Sequence, residues 1–445
     1  MKRRRAKNRN HAEPCPRGFP SRQDVPIFVK DAIGGIDNLR ERIFAMTTAR
    51  TSSAPETTAE TETLDLPRRT RRRYRRFAAR VLMIFAPVHF YVGWSLLPDL
   101  PVGPAVQALG ALLLAVSTVL IPYGTLALIF FRNPDWVDRL VWAGSLTMGL
   151  FSSVLILTLI RDLLLFIPAL QPWNGESAVS VLALAVIVSL VGFVNARRVA
   201  KVVRVDIPLA NLPAALDGFT IAQISDIHVG STIKGDYVRG IVDRVNGLDA
   251  DAIAITGDVV DGKVQRLAPD VAPLGELSAR HGAYIVTGNH EYYSGGDDWL
   301  GEFRRLGLRP LTNEHVVVEQ DDKSLVLAGI NDFNAAKVHP KHTSDPAAAL
   351  NGSPPGATRV LLAHQPRSAP AAEAAGFDLQ LSGHTHGGQF WPWNHFVKMQ
   401  QPFTAGLHRL GNLWVYTSRG TGYWGPPKRF GAPSEITLIT LKAAT

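Results

Sequence analysis

Between residues 77 and 194 the chain carries four long apolar stretches, at about 77–97, 105–131, 140–160 and 178–194, with almost no charge inside them. A helix needs ~20 apolar residues to cross the hydrocarbon core of a bilayer. Within that core only helices and closed barrels satisfy their own backbone polar groups. Four such runs in succession predict an N-terminal four-helix transmembrane region rather than buried helices of a soluble core. A slightly positive mean hydropathy, +0.05, agrees with this.

The charge is unevenly spread. The chain has a net charge of +9, but residues 1–80 hold 20 Lys/Arg and 9 Asp/Glu, so the remainder is near neutral. The densest basic cluster, Arg68 to Arg80, abuts the first apolar stretch. That placement fits an anionic membrane surface and membrane lipids as partners. No zinc-finger spacing or aromatic RNA-binding signature supports a nucleic-acid partner. Arg132 and Arg139 mark the second loop, and Arg197, Arg198, Lys201 and Arg204 follow the fourth stretch, whereas loops 98–104 and 171–177 have no Lys or Arg. Positive charge on alternate sides predicts that both termini, and the domain after the spans, face the cytoplasm. The arginine cluster also resembles a twin-arginine export signal, but the three further stretches behind it argue against export. The single cysteine, Cys15, excludes an intrachain disulfide and leaves no thiolate metal site or Cys nucleophile to expect downstream.

Residues 1–76 read as a basic tail, mostly disordered, with a short interrupted helix over residues 27–44 and Met46 as an alternative start. Residues 77–200 hold the spans, and residues 201–445 form a different kind of domain. There, short aliphatic runs alternate with helical stretches. Strands are expected over 219–224, 252–255, 284–286, 315–319, 325–328, 360–362, 379–381, 413–416 and 436–440. Helices are expected over 237–246, 269–280, 299–306 and 369–375. This order predicts an α/β core of two packed sheets with outer helices.

Five patches punctuate that domain: Ser225-Asp226-Ile227-His228, Gly257-Asp258-Val259-Val260-Asp261, Gly288-Asn289-His290-Glu291, Ala363-His364-Gln365-Pro366 and Gly383-His384-Thr385-His386. Most follow a predicted strand, and strand ends of one sheet converge in space. Their carboxylates, imidazoles and amide are hard to borderline ligands, enough for two metal ions. Asp226 and His228, two apart in an extended segment, are expected to point the same way. Gly257 is expected to let the backbone approach an ion. His281, His315, His339, His342, His395 and His408 lack such company and read as structural or exposed.

The set D-x-H, G-D-x-x-D, G-N-H-E, H and G-H-x-H, in this order, resembles the calcineurin-like metallophosphoesterases. The strings Gly383 to Gln389 and Ser418 to Gly422 are similar to those of its membrane-anchored bacterial branch. The resemblance covers about residues 219–441 and implies a four-layer α/β/β/α sandwich. It implies that Asp226, His228 and His386 bind one divalent ion (manganese, iron, zinc, nickel or cobalt), that Asn289, His364 and His384 bind a second, and that Asp258 bridges them. His290 would then be catalytic, approaching the scissile phosphate, with Asp261 and Glu291 orienting ligands or that histidine. Arg419 and Arg429 are candidate phosphate contacts because guanidinium matches phosphate geometry.

The implied reaction is hydrolysis of a phosphodiester or pyrophosphate by metal-activated hydroxide. Phe390, Trp391, Trp393, Phe396, Lys398, Met399 and Phe403 follow the last patch, and Tyr423 and Trp424 come later. They read either as loop packing or as an apolar lip that accepts a lipid tail. The latter favours a lipid-linked substrate, and the resemblance allows a UDP-diacylglucosamine pyrophosphatase-like activity. Soluble nucleotides as substrate, and a non-catalytic metal-binding membrane sensor, are the competing readings.

Overall fold

A computed structural model describes residues 68–444 except 126, 128–132 and 211, with side chains from Arg80 onward. The tail readings over residues 1–67, including the short helix and Met46, lie outside the described residues.

The N-terminal region is helical: α1 (Arg68–Leu96), α2 (Pro104–Thr125), α3 (Pro134–Leu165) and α4 (Asn174–Arg197). The helix α1 starts at Arg68, so it takes in residues that the sequence reading gave to the tail. Among the described residues, three helical segments are long and apolar enough to cross a membrane: Pro104–Thr125, Pro134–Leu165 and Pro168–Arg197. Three of the four expected spans meet this criterion, and the apolar part of α1, Arg80–Leu96, is shorter. Asn133 caps α3 by accepting from the Asp135 and Trp136 amides, and Pro134 occupies the first turn, where its missing N–H costs nothing. Gly124 of α2 and Gly144 of α3 face each other so closely that a Cβ on either would lie within 2.9 Å of the other's helix backbone. Small residues here permit the tight crossing that apolar helices in lipid rely on.

The second region holds two six-stranded sheets. The first has strand order β1 (Lys201–Leu209), β12 (Glu435–Ala443), β2 (Thr220–Ile224), β3 (Ala252–Ile255), β4 (Ala283–Ile285) and β5 (Arg309–Pro310). The second has the order β10 (Gly406–Leu410), β11 (Leu413–Thr417), β9 (Leu379–Ser382), β8 (Thr358–Leu362), β7 (Lys323–Gly329) and β6 (Glu314–Gln320). Strands β2, β3 and β4 are mutually parallel, as are β8, β9 and β11.

Phe219, Ile221, Leu327, Val360, Leu381 and Ile439 belong to a buried layer between the sheets. The outer face of the first sheet packs Ile224, Ile253 and Ile285 under α5 (Gly235–Asn246), α6 (Val264–Val271) and α8 (Gly296–Arg305), with Trp299 and Phe303 wholly buried. Leu361 and Val415, on the outer face of the second sheet, pack with Ala369 and Ala372 of α10 (Ala369–Ala375). This is a mixed α/β fold with two sheets, and its layers run α/β/β/α. The continuous apolar runs of the central strands follow from burial on both faces. The helix expected over 269–280 instead comprises α6 and a 3₁₀ turn, Ala272–Glu276.

The two regions are in contact. Lys428, in the loop before β12, donates through Nζ to the carbonyl of Gly149 (2.8 Å) and the hydroxyls of Ser153 (2.5 Å) and Ser189 (3.1 Å) on α3 and α4. The Arg429 amide donates to the Gly192 carbonyl at 2.8 Å. Asp138 of α3 pairs with Arg266 and, at 3.1 Å, with Lys234.

Candidate metal centre

All five patches sit at the carboxyl ends of parallel strands. Those after β2, β3 and β4 come from one sheet and those after β8 and β9 from the other, so the ligands meet where the two sheets face each other. Three ligand groups emerge: Asp226 with His228 and His386; Asp258 with His364 and His384; and His228 with Asp258 and His290. In the first, His228 Nε2 lies 3.0 Å from His386 Nε2, and His386 Nε2 lies 3.5 Å from Asp226 Oδ1. In the second, His364 Nε2 lies 3.1 Å from Asp258 Oδ2 and 3.2 Å from His384 Nδ1. Asp258 Oδ2 is also 3.9 Å from His228 Nε2, which puts this carboxylate between the two groups.

The local backbone is unusual. Asp226 (φ 54°), His228 (φ 58°), Asp258 (φ 52°), His384 (φ 71°) and His386 (φ 51°) are all left-handed. The expectation that Asp226 and His228 converge because the segment is extended is therefore corrected: they converge in a left-handed loop. Such conformations cost of order 1–3 kcal/mol each and persist only where surrounding contacts fix them. Glycine supplies close approach at two points. A Cβ on Gly288 would lie 2.1 Å from Asp258 Oδ1, and one on Gly383 would lie 2.0 Å from Ser225 Oγ and 2.2 Å from Asp226 Oδ2. Gly257, at φ 87°, approaches Gly288 N and His364 Nδ1 rather than an ion position.

The surrounding groups orient the ligands. His364 Nδ1 donates to the Thr256 carbonyl at 2.8 Å, and His228 Nδ1 donates to Asp261 Oδ1 at 2.9 Å, so each presents Nε2 to the cluster. With its amide oxygen turned toward Arg367, Gln401 accepts from His384 Nε2 at 3.2 Å, leaving Nδ1 to face inward. The Glu291 carboxylate accepts four backbone N–H groups, from Gly288, Asp258, Val259 and Val260, at 2.7 to 3.2 Å. It thereby ties the Gly257-Asp258 loop to the Gly288-Asn289 loop. Burial and the neighbouring Asp258 charge push the Glu291 carboxyl up to about 7, opposed by those N–H donors. For Asp261, burial pushes up, but His228 and His290 outweigh it and hold the carboxyl well below its usual range.

The donor set fits divalent cations. Two buried carboxylates and four imidazoles crowd within a few ångströms, and the Asn289 Oδ1 atom is buried with no hydrogen-bond partner. An orphaned buried amide oxygen costs ~1–3 kcal/mol, which a cation would remove. Burial opposes protonation of His364, but the Asp258 charge raises it well above an ordinary histidine, which locates a position for positive charge. The fit is least direct at His386. Arg429 Nη2 sits 3.0 Å from its Nδ1, which places the ring proton of the neutral imidazole on Nε2. Ligation through Nε2 requires that contact to relax.

His290 Nδ1 donates to Asp261 Oδ1 at 2.5 Å, and its amide donates to Asp258 Oδ1 at 2.9 Å. Its ring meets Trp424 edge-on at 6.0 Å. Arg429 differs from the expectation of a phosphate contact. It is wholly buried and gives its guanidinium to the carbonyls of Gly422, His386 and Arg419. Arg419 pairs with Glu435 at 2.7 Å while keeping a third of its side chain exposed. Sequence reasoning missed Asp332, which is buried and accepts from the amide of Gln365, the neighbour of His364. It also missed Gln401. Neither residue stands in a patch that marks it.

Of the aromatic residues after His386, Phe390 and Phe403 are buried, as is Tyr423. Trp393, Phe396 and Met399 are 42%, 46% and 43% exposed, and Trp393 Nε1 donates to Ser152 Oγ on α3 at 2.9 Å.

Comparison with known proteins agrees with this geometry. Residues 219–388 match the family model described as calcineurin-like phosphoesterase. A transmembrane protein with metallophosphoesterase domain from Danio rerio is 39% identical over 281 residues, covering 61% of this chain and 64% of that protein. Uncharacterized metallophosphoesterases from Campylobacter jejuni (34% identical, 59% of this chain, 69% of that protein) and Aquifex aeolicus (32%, 50% and 84%) are also similar. The chain thus spans just under two thirds of the length of the Danio rerio relative.

Proposed function

The chain belongs to the calcineurin-like metallophosphoesterases, and on that premise we propose that it is a membrane-anchored phosphoesterase with two divalent ions, hydrolysing a phosphodiester or pyrophosphate of a lipid-linked substrate at the cytoplasmic face of a bilayer. The observation that carries the hydrolase reading is the convergence of Asp226, His228, His364, His384 and His386 on Asp258, with Asn289 Oδ1 buried and without a hydrogen-bond partner. Asp226, His228 and His386 would hold one ion and Asn289, His364 and His384 the other, with Asp258 shared. When bound, such ions neutralise charge on phosphoryl oxygens and acidify water.

The chain's own groups do the rest. His290, whose Nδ1–H is held by Asp261 and which lies beside His228 and Asp258, would deliver a proton to the leaving oxygen. Asp261 would stabilise the imidazolium that gives up this proton. Glu291 fixes the backbone that carries Asp258 and Asn289, so the ligands need not reorganise during reaction.

The lipid-linked substrate is supported by the exposed apolar lip of Trp393, Phe396 and Met399, which follows His386 and leans on α3. Amphipathic aromatics favour the bilayer interface. The alternating Lys/Arg of the loops supports four spans with α1 as the first, and a cytoplasmic catalytic region. A pyrophosphate in a nucleotide-diacylglucosamine is one substrate of this class. The test compares hydrolysis of lipid-linked and soluble phosphodiesters by the full chain in mixed micelles, for wild type and a Trp393→Ser/Phe396→Ser/Met399→Ser variant. The expected result is a lipid preference that the variant loses while retaining soluble turnover. Equal turnover of both substrates by wild type would remove the lipid assignment.

A further inference from the structure

A fourth group of metal-type ligands lies away from the centre described above: Asp297 in the first turn of α8, with His339 and His342 in the loop between β7 and β8. His339 Nε2 lies 3.2 Å from Asp297 Oδ2, and His342 Nε2 lies 3.5 Å from Asp297 Oδ1. The two rings are 4.0 Å apart at their centroids. Ligands about 2.1 Å from a tetrahedral zinc ion stand roughly 3.4 Å from one another, so the two carboxylate–imidazole separations match edges of such a site.

The proton positions follow from the surrounding hydrogen bonds. Asn331 Nδ2 donates to the Thr343 carbonyl at 3.0 Å, which turns Oδ1 toward Tyr292. The Tyr292 hydroxyl donates to that Oδ1 at 3.1 Å, spending its one proton. His342 Nδ1, 3.0 Å from the same hydroxyl oxygen, must therefore be the donor in that contact. In the neutral ring this leaves the bare lone pair on Nε2, aimed at a carboxylate and a second imidazole. A lone pair directed at a carboxylate is a repulsive contact that a cation between them would relieve. A histidine whose other nitrogen donates to an oxygen acceptor is also the arrangement in which imidazoles bind metals.

We propose that Asp297, His339 and His342 form an accessory site for a borderline divalent cation of the zinc or cobalt type. Three protein ligands leave a position for water, as in exchangeable sites rather than closed structural ones. The ion would tie α8 to the 331–343 loop. Through His342 and Tyr292 it would also brace α7 (Asn289–Ser294), which opens with Asn289-His290-Glu291. The same loop carries Asp332, hydrogen-bonded to the neighbour of His364. The accessory ion would thus stiffen two of the loops that bear the main ligands, without touching substrate.

The test is metal stoichiometry on the full chain in detergent. Protein stripped by chelator is titrated with Co²⁺, followed by visible absorption and elemental analysis, for wild type, Asp297→Asn and His339→Gln. Asp297 is 64% exposed and His339 38% exposed, so both variants should fold. The expected result is one ion fewer per chain in each variant, with loss of the corresponding absorption, and a rise in Tm with Zn²⁺ that is smaller than in wild type. Unchanged stoichiometry together with an unchanged cobalt spectrum would overturn the proposal. The difference between proteins is read whether or not the main centre fills, so failure here is distinguishable from failure of the phosphoesterase reading.

Discussion

Replacing Glu291 by Gln tests the claim that a single buried carboxylate holds the two loops of the centre together. Its Oε1 accepts from the amides of Val259 and Val260, and its Oε2 from those of Asp258 and Gly288. A glutamine side chain keeps one acceptor oxygen and turns an NH₂ toward the other pair of donors. Two of four bonds are lost. Hydrogen bonds to a charged acceptor contribute about 1.5–3 kcal/mol each, so the gross loss is about 3–6 kcal/mol. The neutral amide escapes part of the burial cost that pushes the Glu291 carboxyl up to about 7, which favours the lower end. A loss of about 3 kcal/mol in a domain of this size corresponds to a Tm decrease of roughly 6–12 °C. Thermal melting of the chelator-treated full chain in detergent measures this without any contribution from bound ions. A Tm within 2 °C of wild type would refute the reasoning, because it would mean the four contacts are not holding the loops.

Other expectations follow from single residues. Gly383→Ala places a Cβ 2.0 Å from Ser225 Oγ and 2.2 Å from Asp226 Oδ2, so metal affinity at the main centre, measured by calorimetry, should fall at least about tenfold. Burial lowers the Lys428 amine to about 8 where it meets α3 and α4, with Phe390 the aromatic ring beneath it and Gly149, Ser153 and Ser189 its hydrogen-bond partners. The folded state therefore releases this proton before the unfolded state does. The group's contribution to stability should rise with pH between about 8 and its ordinary value near 10.5. The difference in Tm between wild type and Lys428→Met, followed over that window, should shift toward wild type, and a pH-independent difference would contradict it. Asn289→Ala removes the orphaned amide oxygen and should weaken metal binding while leaving the metal-free Tm unchanged or higher, as read by paired melts with and without Mn²⁺.

Much of the catalytic fold was legible because the strands that carry ligands are buried on both faces and read as short aliphatic runs. The run from Ala252 to Ile255 is a strand as expected, and Ala369 to Ala375 a helix. Three of the four edge strands, β1, β5 and β10, were not legible. Lys201–Leu209 alternates exposed charge with buried aliphatics, directly after the basic end of α4, and its pairing with the last strand joins residues more than 200 positions apart. The pool of ligands was visible as motifs, but their convergence depends on left-handed backbone at Asp226, His228 and Asp258, which residue type does not dictate. The burial of Arg429 was equally hidden, since its partners are carbonyls from two separate segments. The contact between Lys428 and the N-terminal helices is long-range as well, and nothing in the loop sequence announces it.

The most direct test is hydrolysis of bis(4-nitrophenyl) phosphate by the full chain in detergent, stripped with chelator and reconstituted with Mn²⁺, in wild type and Asp258→Ala. Asp258 stands between the two ligand groups, so its loss should disable both. Wild type should be inactive when stripped and active when reconstituted, and the variant should remain at least about 10³-fold slower at every metal concentration. Turnover that survives chelation, or that Asp258→Ala leaves undiminished, would contradict a metal-dependent phosphoesterase centred on this residue.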